Sequence, residues 1–133
     1  MNRWLLFLGL VSAAYSCGEP EAEDLAATEG CSIHHDVHLV LIDSLSAADR
    51  VMVLEQLASL SAVSGVSGFS LSERAETNDP RALKEVDVSI RMCFSDRSAM
   101  KNYRIDPDHL EVKKNIARFL KAAPTVIDSR VIE

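Results

Sequence analysis

The sequence predicts an α+β domain whose elements follow the order β-α-β-β-α-β. Residues 86–94 alternate apolar and polar side chains at every position, which is the pattern of a strand with one buried face. Residues 46–62 carry an apolar stripe at helical spacing behind a capping-box-like start, and Asp106-Pro107 marks the beginning of a further helix. This order is that of the ferredoxin-like split βαβ fold, in which helices cover one face of a four-stranded sheet.

The other strands are predicted from shorter patterns. Residues 34–43 place apolar side chains on both faces, so this first strand is expected at the centre of the sheet. Residues 66–72 predict a second strand with a bulge or close approach at Gly68, and residues 125–132 predict the last strand. The polar segment 73–85 is expected to be an exposed loop. We expect the first and third strands to be central neighbours that run parallel.

The segment after the third strand predicts a corner between two helices. Ser95 is expected to cap a helix that ends at Tyr103, and Asp106 to cap the next helix over residues 107–121, with His109 in its first turn. Such a corner brings the tyrosine and the histidine within reach of one space. These two side chains are therefore the first candidates for a functional site.

The N-terminal residues carry the features of an exported protein. Residues 1–16 combine a basic start, an apolar run too short for a comfortable membrane span and a small-x-small end, as in a signal peptide. Ala14-Tyr15-Ser16-Cys17 resembles a bacterial lipobox, so Cys17 is the candidate for lipidation and for anchoring on the periplasmic or cell-surface side. The alternative is a conventional signal peptide and a soluble exported protein. Residues 17–30 hold five acidic residues and no basic one, which predicts a solvated tether ahead of a folded domain at 31–133.

The distribution of charge excludes one class of partner. The net charge of the chain is −6, but the tether supplies most of it, so the domain itself is nearly neutral. No basic stripe with interleaved aromatic residues occurs, which argues against a nucleic-acid partner. Membrane contact is expected only through a lipid on Cys17.

The chain has three cysteines, an odd number that cannot all pair with one another, so the role of each is considered separately. If the first and third strands run parallel, Cys31 and Cys93 lie at opposite ends of the sheet. A disulfide requires Cα atoms about 4.4–6.8 Å apart, so no bridge between the two is expected. Cys93 is expected to be a small buried thiol.

A run of histidines at 34, 35 and 38 raises the question of a metal site. Only His34 and His38 share a face of the predicted strand, and four strand residues separate them by about 13 Å. No metal site is predicted, and no phosphate loop, nucleotide fingerprint or zinc spacing implies a cofactor.

The polar face of the third strand carries Asp87 and Arg91. Two helices cover only one face of the sheet, so the other face is expected to meet a second copy of the chain in a homodimer. The two residues could line a ligand-binding barrel, or they could belong to an ion-pair network within or between subunits, which is the favoured interpretation.

Several segments, in order, resemble the stress-response A/B barrel domain family of dimeric α+β barrel proteins. They are the strand His38-Leu39-Val40-Leu41, the passage VSGVSGFSL, the strand DVSIRMCFSD and the signature Tyr103-x-x-x-Pro107-x-His109. The resemblance implies a homodimer whose sheets close around a shared interior. In a polyketide cyclase branch of the family the tyrosine and histidine of the signature form an acid/base pair, and a first-strand histidine lines the pocket. By this resemblance Tyr103 and His109 are catalytic or ligand-binding, and His38 is ligand-binding; a further pocket histidine of that branch falls at Val88.

Two functions follow as hypotheses. The first is the binding of a small apolar or aromatic molecule in a homodimeric barrel without an assigned reaction. The second is a lyase or cyclase reaction that uses Tyr103 and His109. The structural alternative for these residues is a tyrosine that packs in the core and a histidine that hydrogen-bonds the corner.

Overall fold

The computed structural model of the protein describes residues 30–132. Its elements in chain order are β1 (Ile33–Leu39), α1 (Ala47–Ser59, followed by the 3-10 turn Leu60–Ala62), β2 (Ser67–Glu73), β3 (Val88–Phe94), α2 (Arg97–Ile105), α3 (Pro107–Ile116, followed by the 3-10 turn Ala117–Phe119) and β4 (Thr125–Arg130). The predicted signal peptide, Cys17 and nearly all of the acidic tether lie outside the described residues. None of the helices within 30–132 has the length and apolarity needed to cross a bilayer.

The four strands form one sheet in the order β2-β3-β1-β4, and every neighbouring pair is antiparallel. The predicted ferredoxin-like α+β arrangement is confirmed, with β1 and β3 at the centre. The expected parallel pairing of these two strands is wrong. The connection through α1 carries the chain past one strand position, so β1 runs parallel to β2 and β3 fits between them in the opposite direction. β2 is irregular between Ser67 and Ser70, where Gly68 has a φ of +50°, in agreement with the predicted bulge.

The antiparallel pairing of β1 and β3 joins Cys31 to Cys93. Cys31 precedes β1 and Cys93 lies near the end of β3, and antiparallel strands place those two ends side by side. The Cα atoms are 5.6 Å apart, and the sulfurs form a disulfide across a sequence separation of 62 residues. The expectation of two separate thiols is therefore wrong, because it followed from the wrong strand direction.

The helices begin at capping side chains. Ser46 Oγ accepts a hydrogen bond from the backbone N–H of Asp49 at 3.0 Å, as the capping-box-like pattern predicts. The cap of α2 is Asp96 rather than Ser95, and its carboxylate accepts the N–H of Ala99 at 2.8 Å. A negatively charged cap also gains from the positive end of the helix dipole.

The helices cover one face of the sheet and form the core with it. On β3 the predicted apolar face is confirmed, since Val88, Ile90, Met92 and Phe94 are each at most 2% exposed. They belong to one cluster with Leu39 and with helix residues such as Val53, Leu57, Val112 and Ile116. This burial sets the register of β3, because a slip by one residue would turn the whole apolar set to the other face.

The opposite face of the sheet, called the open face below, is polar and has no helix on it. Arg91 Nε donates to Asp36 Oδ1 at 2.7 Å, and Asp36 is the residue directly across from Arg91 on β1. Asp87 instead accepts the backbone N–H of Leu41 at 2.8 Å. An ion pair between Asp87 and Arg91 is thus not formed, because four residues of one strand hold them about 13 Å apart while other partners are closer.

Candidate functional site

A cavity of about 550 Å³ lies between the sheet and the helices. Its walls are largely apolar and include Val37, Leu39, Leu57, Ile90, Met92 and Ile116. A polar group of side chains also lines it: His35, Tyr103, Arg104, His109, Lys113 and Asp128. Val126, also in the lining, is 46% exposed whereas Leu39 is 1% exposed, so the cavity opens toward β4.

The corner between α2 and α3 positions the first two polar residues. Asp106 serves both helices: its backbone N–H donates to the carbonyl oxygen of Tyr103 at 3.2 Å, and its carboxylate accepts the N–H of Asp108 at 2.9 Å. Pro107 occupies the first turn of α3, where its missing N–H costs nothing. The corner is therefore closed by short local bonds. It brings Tyr103 and His109 together with ring centroids 4.2 Å apart and planes at 28°, a stacked pair.

His109 is held so that one ring nitrogen remains available. Its Nδ1 lies 3.3 Å from the carbonyl oxygen of Arg104, and a carbonyl can only accept, so Nδ1 carries the proton of this hydrogen bond. In the neutral ring Nε2 is then an acceptor. Burial lowers the pKa of His109, and the charge of nearby Lys113 adds to this effect, while the hydrogen bond to the Arg104 carbonyl and the carboxylate of Asp106 oppose it. The neutral, proton-accepting form is favoured.

Tyr103 is the most deeply buried polar residue of the corner. The side chain is 2% exposed, its ring packs against Phe94 with centroids 5.2 Å apart, and burial raises the pKa of its hydroxyl well above the ordinary value. Among residues 30–132 no side-chain oxygen or nitrogen is both closed off from solvent and without a hydrogen-bond partner. The Tyr103 hydroxyl, for which the described residues supply no partner, therefore faces the open space of the cavity. At neutral pH it is a neutral phenol that can donate a hydrogen bond or a proton.

A second histidine, His35, reaches the cavity from β1. Its Nδ1 donates to Asp128 Oδ1 at 2.5 Å, and Arg104 Nη2 donates to the other carboxylate oxygen of Asp128 at 2.7 Å. His35 is 6% exposed and its ring lies edge-on to Tyr103 at 6.0 Å. The Asp128 carboxylate thus accepts one hydrogen bond from His35 and one from Arg104, and it orients both side chains.

The structure separates the predicted site residues into two groups. Tyr103 and His109 share the cavity, whereas His38 lies on the open face, where its Nδ1 is 2.9 Å from Ser89 Oγ, and it does not line the cavity. The position expected for His38 is taken by His35. His35 has the same strand parity as Val37 and Leu39, but the other face of this strand is also apolar in the sequence, so parity alone did not identify His35. Nothing in the sequence pairs Asp128 with His35, because 93 residues separate them.

Together, fold and cavity define a class: an α+β protein of ferredoxin-like fold with a cavity between sheet and helices. Within that class, residues 33–131 match the family described as "Stress responsive A/B Barrel Domain", and the chain belongs to this family. The predicted family is thus confirmed. No curated protein matches the chain.

Solved structures share the fold at low sequence identity. A Dabb family protein with a ferredoxin-like fold from Mesorhizobium loti is 22% identical, with a TM-score of 0.62 over 77% of this chain and 99% of that one. A hydroxynitrile lyase from Passiflora edulis is 13% identical, with a TM-score of 0.66 over 76% and 94% of the two chains. A dimeric ferredoxin-like protein of unknown function from Thermobifida fusca is 17% identical, with a TM-score of 0.62 over 77% and 93%. At these identities the likeness concerns the fold alone.

Proposed function

We propose that this protein binds a small, mostly apolar or aromatic molecule in the cavity between its sheet and helices. The observation that carries the proposal is the combination of a volume of about 550 Å³, apolar walls and convergent polar side chains. Small-molecule sites typically enclose roughly 300–1,000 Å³ and use a few polar groups to fix orientation. The bound molecule would carry a hydroxyl, carbonyl or similar group, which Tyr103 and the two histidines orient.

Binding can be tested by the mass of a retained molecule. We expect native mass spectrometry of protein purified from its host to show a small molecule that is released on denaturation. Val126→Trp projects a large ring into the cavity from the exposed edge and should abolish retention. Leu83, in the loop between β2 and β3, is 66% exposed and does not line the cavity, so Leu83→Trp is the control and should retain the molecule. Equal retention by both variants would overturn the proposal.

The second candidate function is a lyase or cyclase reaction in the same cavity. It is favoured by the stacked pair of a neutral phenol and a histidine whose pKa is lowered by burial. In this reaction Nε2 of His109 takes a proton from the substrate and the Tyr103 hydroxyl donates one to the developing oxyanion or leaving group. A fold shared with a hydroxynitrile lyase is compatible with such chemistry.

The retained molecule also distinguishes the two functions. A lyase reaction, or a cyclisation that releases water, changes the mass of the bound molecule, so such an enzyme with His109→Gln should retain unconverted substrate at a mass different from that retained by the wild type. A binding protein should retain the same molecule in both, with weaker affinity in the variant. Tyr103→Phe keeps the ring and its packing, so it isolates the hydroxyl in the same comparison.

We propose that the open face is covered by a second copy of the chain. The face has an ion pair between Arg91 and Asp36 at its centre and the half-exposed Ile127 on its β4 edge, and no helix of the described residues reaches it. Fold relatives from Thermobifida fusca, Bacteroides fragilis and Jannaschia are described as dimeric. Sedimentation equilibrium should show a homodimer at micromolar concentration, and a monomer would contradict the proposal.

We also propose that the protein is exported and anchored by lipid at Cys17. The lipobox-like residues 14–17 and the acidic tether support this, and so does the Cys31–Cys93 disulfide, since disulfides persist mainly in oxidising compartments. Cys17→Ser should move the protein from the membrane to the soluble fraction. An unmodified Cys17 in the mature protein, seen by mass spectrometry, would rule out the anchor.

A further inference from the structure

A second cluster of chemically active side chains lies on the open face, away from the cavity. It consists of Cys31, Cys93 and His34, and their potential ligand atoms all lie within 4.8 Å of one another. His34 is directly across from Cys93 in the pairing of β1 and β3. Cys31 lies two residues before the start of β1 and three residues before His34, and it completes the group. Two central strands thus position all three donors.

The spacing of the donors matches a thiophilic metal ion. Zn–S bonds of about 2.3 Å and Zn–N bonds of about 2.0–2.1 Å at tetrahedral angles place sulfur and nitrogen roughly 3.6 Å apart. The Cys31 sulfur lies 3.8 Å from Nδ1 and 3.9 Å from Nε2 of His34. The imidazole is therefore near the required distance, but because both nitrogens are almost equally far from the sulfur, the His34 ring must rotate to direct one nitrogen at a shared ion.

The two sulfurs need only a small separation to complete the set. In a disulfide they are bonded at about 2.05 Å, and in a tetrahedral zinc site they would lie roughly 3.8 Å apart. The Cα atoms of Cys31 and Cys93 are 5.6 Å apart, so side-chain rotation supplies the difference. Among residues 30–132, the His34 ring contacts one polar side chain, that of Cys31. The imidazole is therefore available as a ligand.

We propose that Cys31, His34 and Cys93 form a redox-dependent zinc site. A dithiol reductant transfers two electrons and two protons to the disulfide, which gives two thiols and an oxidised reductant. Zn²⁺ then binds the two sulfurs and one His34 nitrogen, two protons leave the thiols, and water occupies the fourth position. Disulfide and metal exclude each other, so the site holds zinc only where the surroundings reduce the bridge. Two thiolates and an imidazole suit Zn²⁺ better than Mg²⁺ or Ca²⁺, which prefer oxygen ligands.

The experiment uses the full chain with Cys17→Ser, which leaves Cys31 and Cys93 as the cysteines. After reduction with a phosphine and its removal, the protein is titrated without oxygen with Co²⁺ as a spectroscopic substitute for Zn²⁺. We expect one equivalent to give thiolate-to-cobalt charge transfer and the strong visible bands of a tetrahedral ion, both removed by Zn²⁺. The oxidised protein should give neither signal.

A matched pair of histidine variants tests the ligand set. His34→Ala should weaken Co²⁺ binding by at least about tenfold, the lower end of the losses seen when even an outer partner of a metal ligand is removed. His38→Ala changes a histidine four residues further on the same face and should leave binding unchanged. Equal losses in both variants, or equal binding by oxidised and reduced protein, would overturn the site.

A second measurement covers the case in which reduction loosens the fold. Zn²⁺ should raise the thermal unfolding midpoint of the reduced protein and leave that of the oxidised protein unchanged, since an ion that binds only the reduced folded state stabilises only that state. The absence of any zinc-dependent shift in the reduced protein, together with no cobalt spectrum, would rule the site out.

Discussion

The two faces of the sheet are built from alternate residues of the same strands, yet they are completed in different ways. On β3, Ile90 and Met92 are at most 2% exposed beneath the chain's own helices, whereas the Arg91 side chain between them is 58% exposed. The face of the sheet that packs against the helices, called the helix face below, encloses the cavity. The stability of the fold and the geometry of the candidate site therefore depend on the same side chains. The open face carries polar pairs and the disulfide cluster, and we have proposed that a second copy of the chain covers it. Apart from the disulfide, substitutions on the helix face should therefore mainly change the free energy of unfolding, and substitutions on the open face should mainly change assembly.

The largest effect is expected for Phe94→Ala on the helix face. Phe94 is fully buried and packs against both Tyr103 and His35, so truncation leaves a void beside the polar group of the cavity. We expect a loss of about 3–5 kcal/mol in the free energy of unfolding, measured by urea denaturation. Ser89→Ala, on the open face of the same strand, should cost under about 1 kcal/mol. Similar losses in both variants would show that the faces do not differ as described.

The disulfide is the one strong covalent contribution on the open face. The Cys31→Ser/Cys93→Ser double variant removes a link across 62 residues, and we expect a loss of about 2–4 kcal/mol in the free energy of unfolding. The same loss should appear when the Cys17→Ser protein is reduced, and the variant lacking both Cys31 and Cys93 should not respond to reductant. A response in that variant would show that the reductant acts elsewhere.

A smaller effect on folding, but a clear one on assembly, is expected for Arg91→Glu. The Asp36 side chain is 14% exposed and the Arg91 side chain 58%, so within one subunit the pair should contribute under about 1 kcal/mol. In a dimer closed over the open face, a glutamate opposite Asp36 places like charges where water is excluded, and dissociation should increase. Sedimentation equilibrium measures this. Arg81→Glu makes the same charge change on an exposed loop and should leave assembly intact.

The smallest effect is a pH dependence from the helix face. The pKa of His109 is lowered in the folded protein below its ordinary value of 6.5, chiefly by burial. The unfolded chain therefore binds the proton at higher pH than the folded one, so the contribution is complete above about pH 6.5 and is lost as the pH falls below it. We expect the difference in unfolding midpoint between wild type and His109→Gln to narrow from pH 7.5 to pH 5. A difference in unfolding midpoint that stays constant with pH would contradict the lowered pKa. An NMR titration of the His109 ring would measure this pKa directly.

The helix face was more predictable than the open face because its signal is local. The alternation at residues 86–94 predicts which face of β3 packs in the core. Asp106-Pro107 predicts the start of α3, and hence the corner that joins Tyr103 to His109. The direction of β1 relative to β3 has no such signal, since a strand shows the same alternation whichever way it runs. The disulfide was missed for that reason alone, and it follows at once from antiparallel pairing.

The polar group of the cavity was only half predictable. His35 and His38 sit on a strand that is apolar on both faces, so parity alone did not decide which of them meets the helices. Asp128 comes from the last strand, and its contact with His35 arises from the pairing of β4 with β1. Such long-range pairings depend on topology, and a single sequence does not contain that information in any local pattern.

The single-residue corner at Asp106 has a consequence for insertions and deletions. Tyr103 and His109 are six positions apart, and each added or removed residue would rotate His109 by about 100° around the axis of α3. One such change would carry the imidazole off the tyrosine ring even if both helices kept their caps. The number of residues from 103 to 109 therefore sets the orientation of the two rings. A transfer of this site to another protein must keep residues 103–109 together, without insertions or deletions.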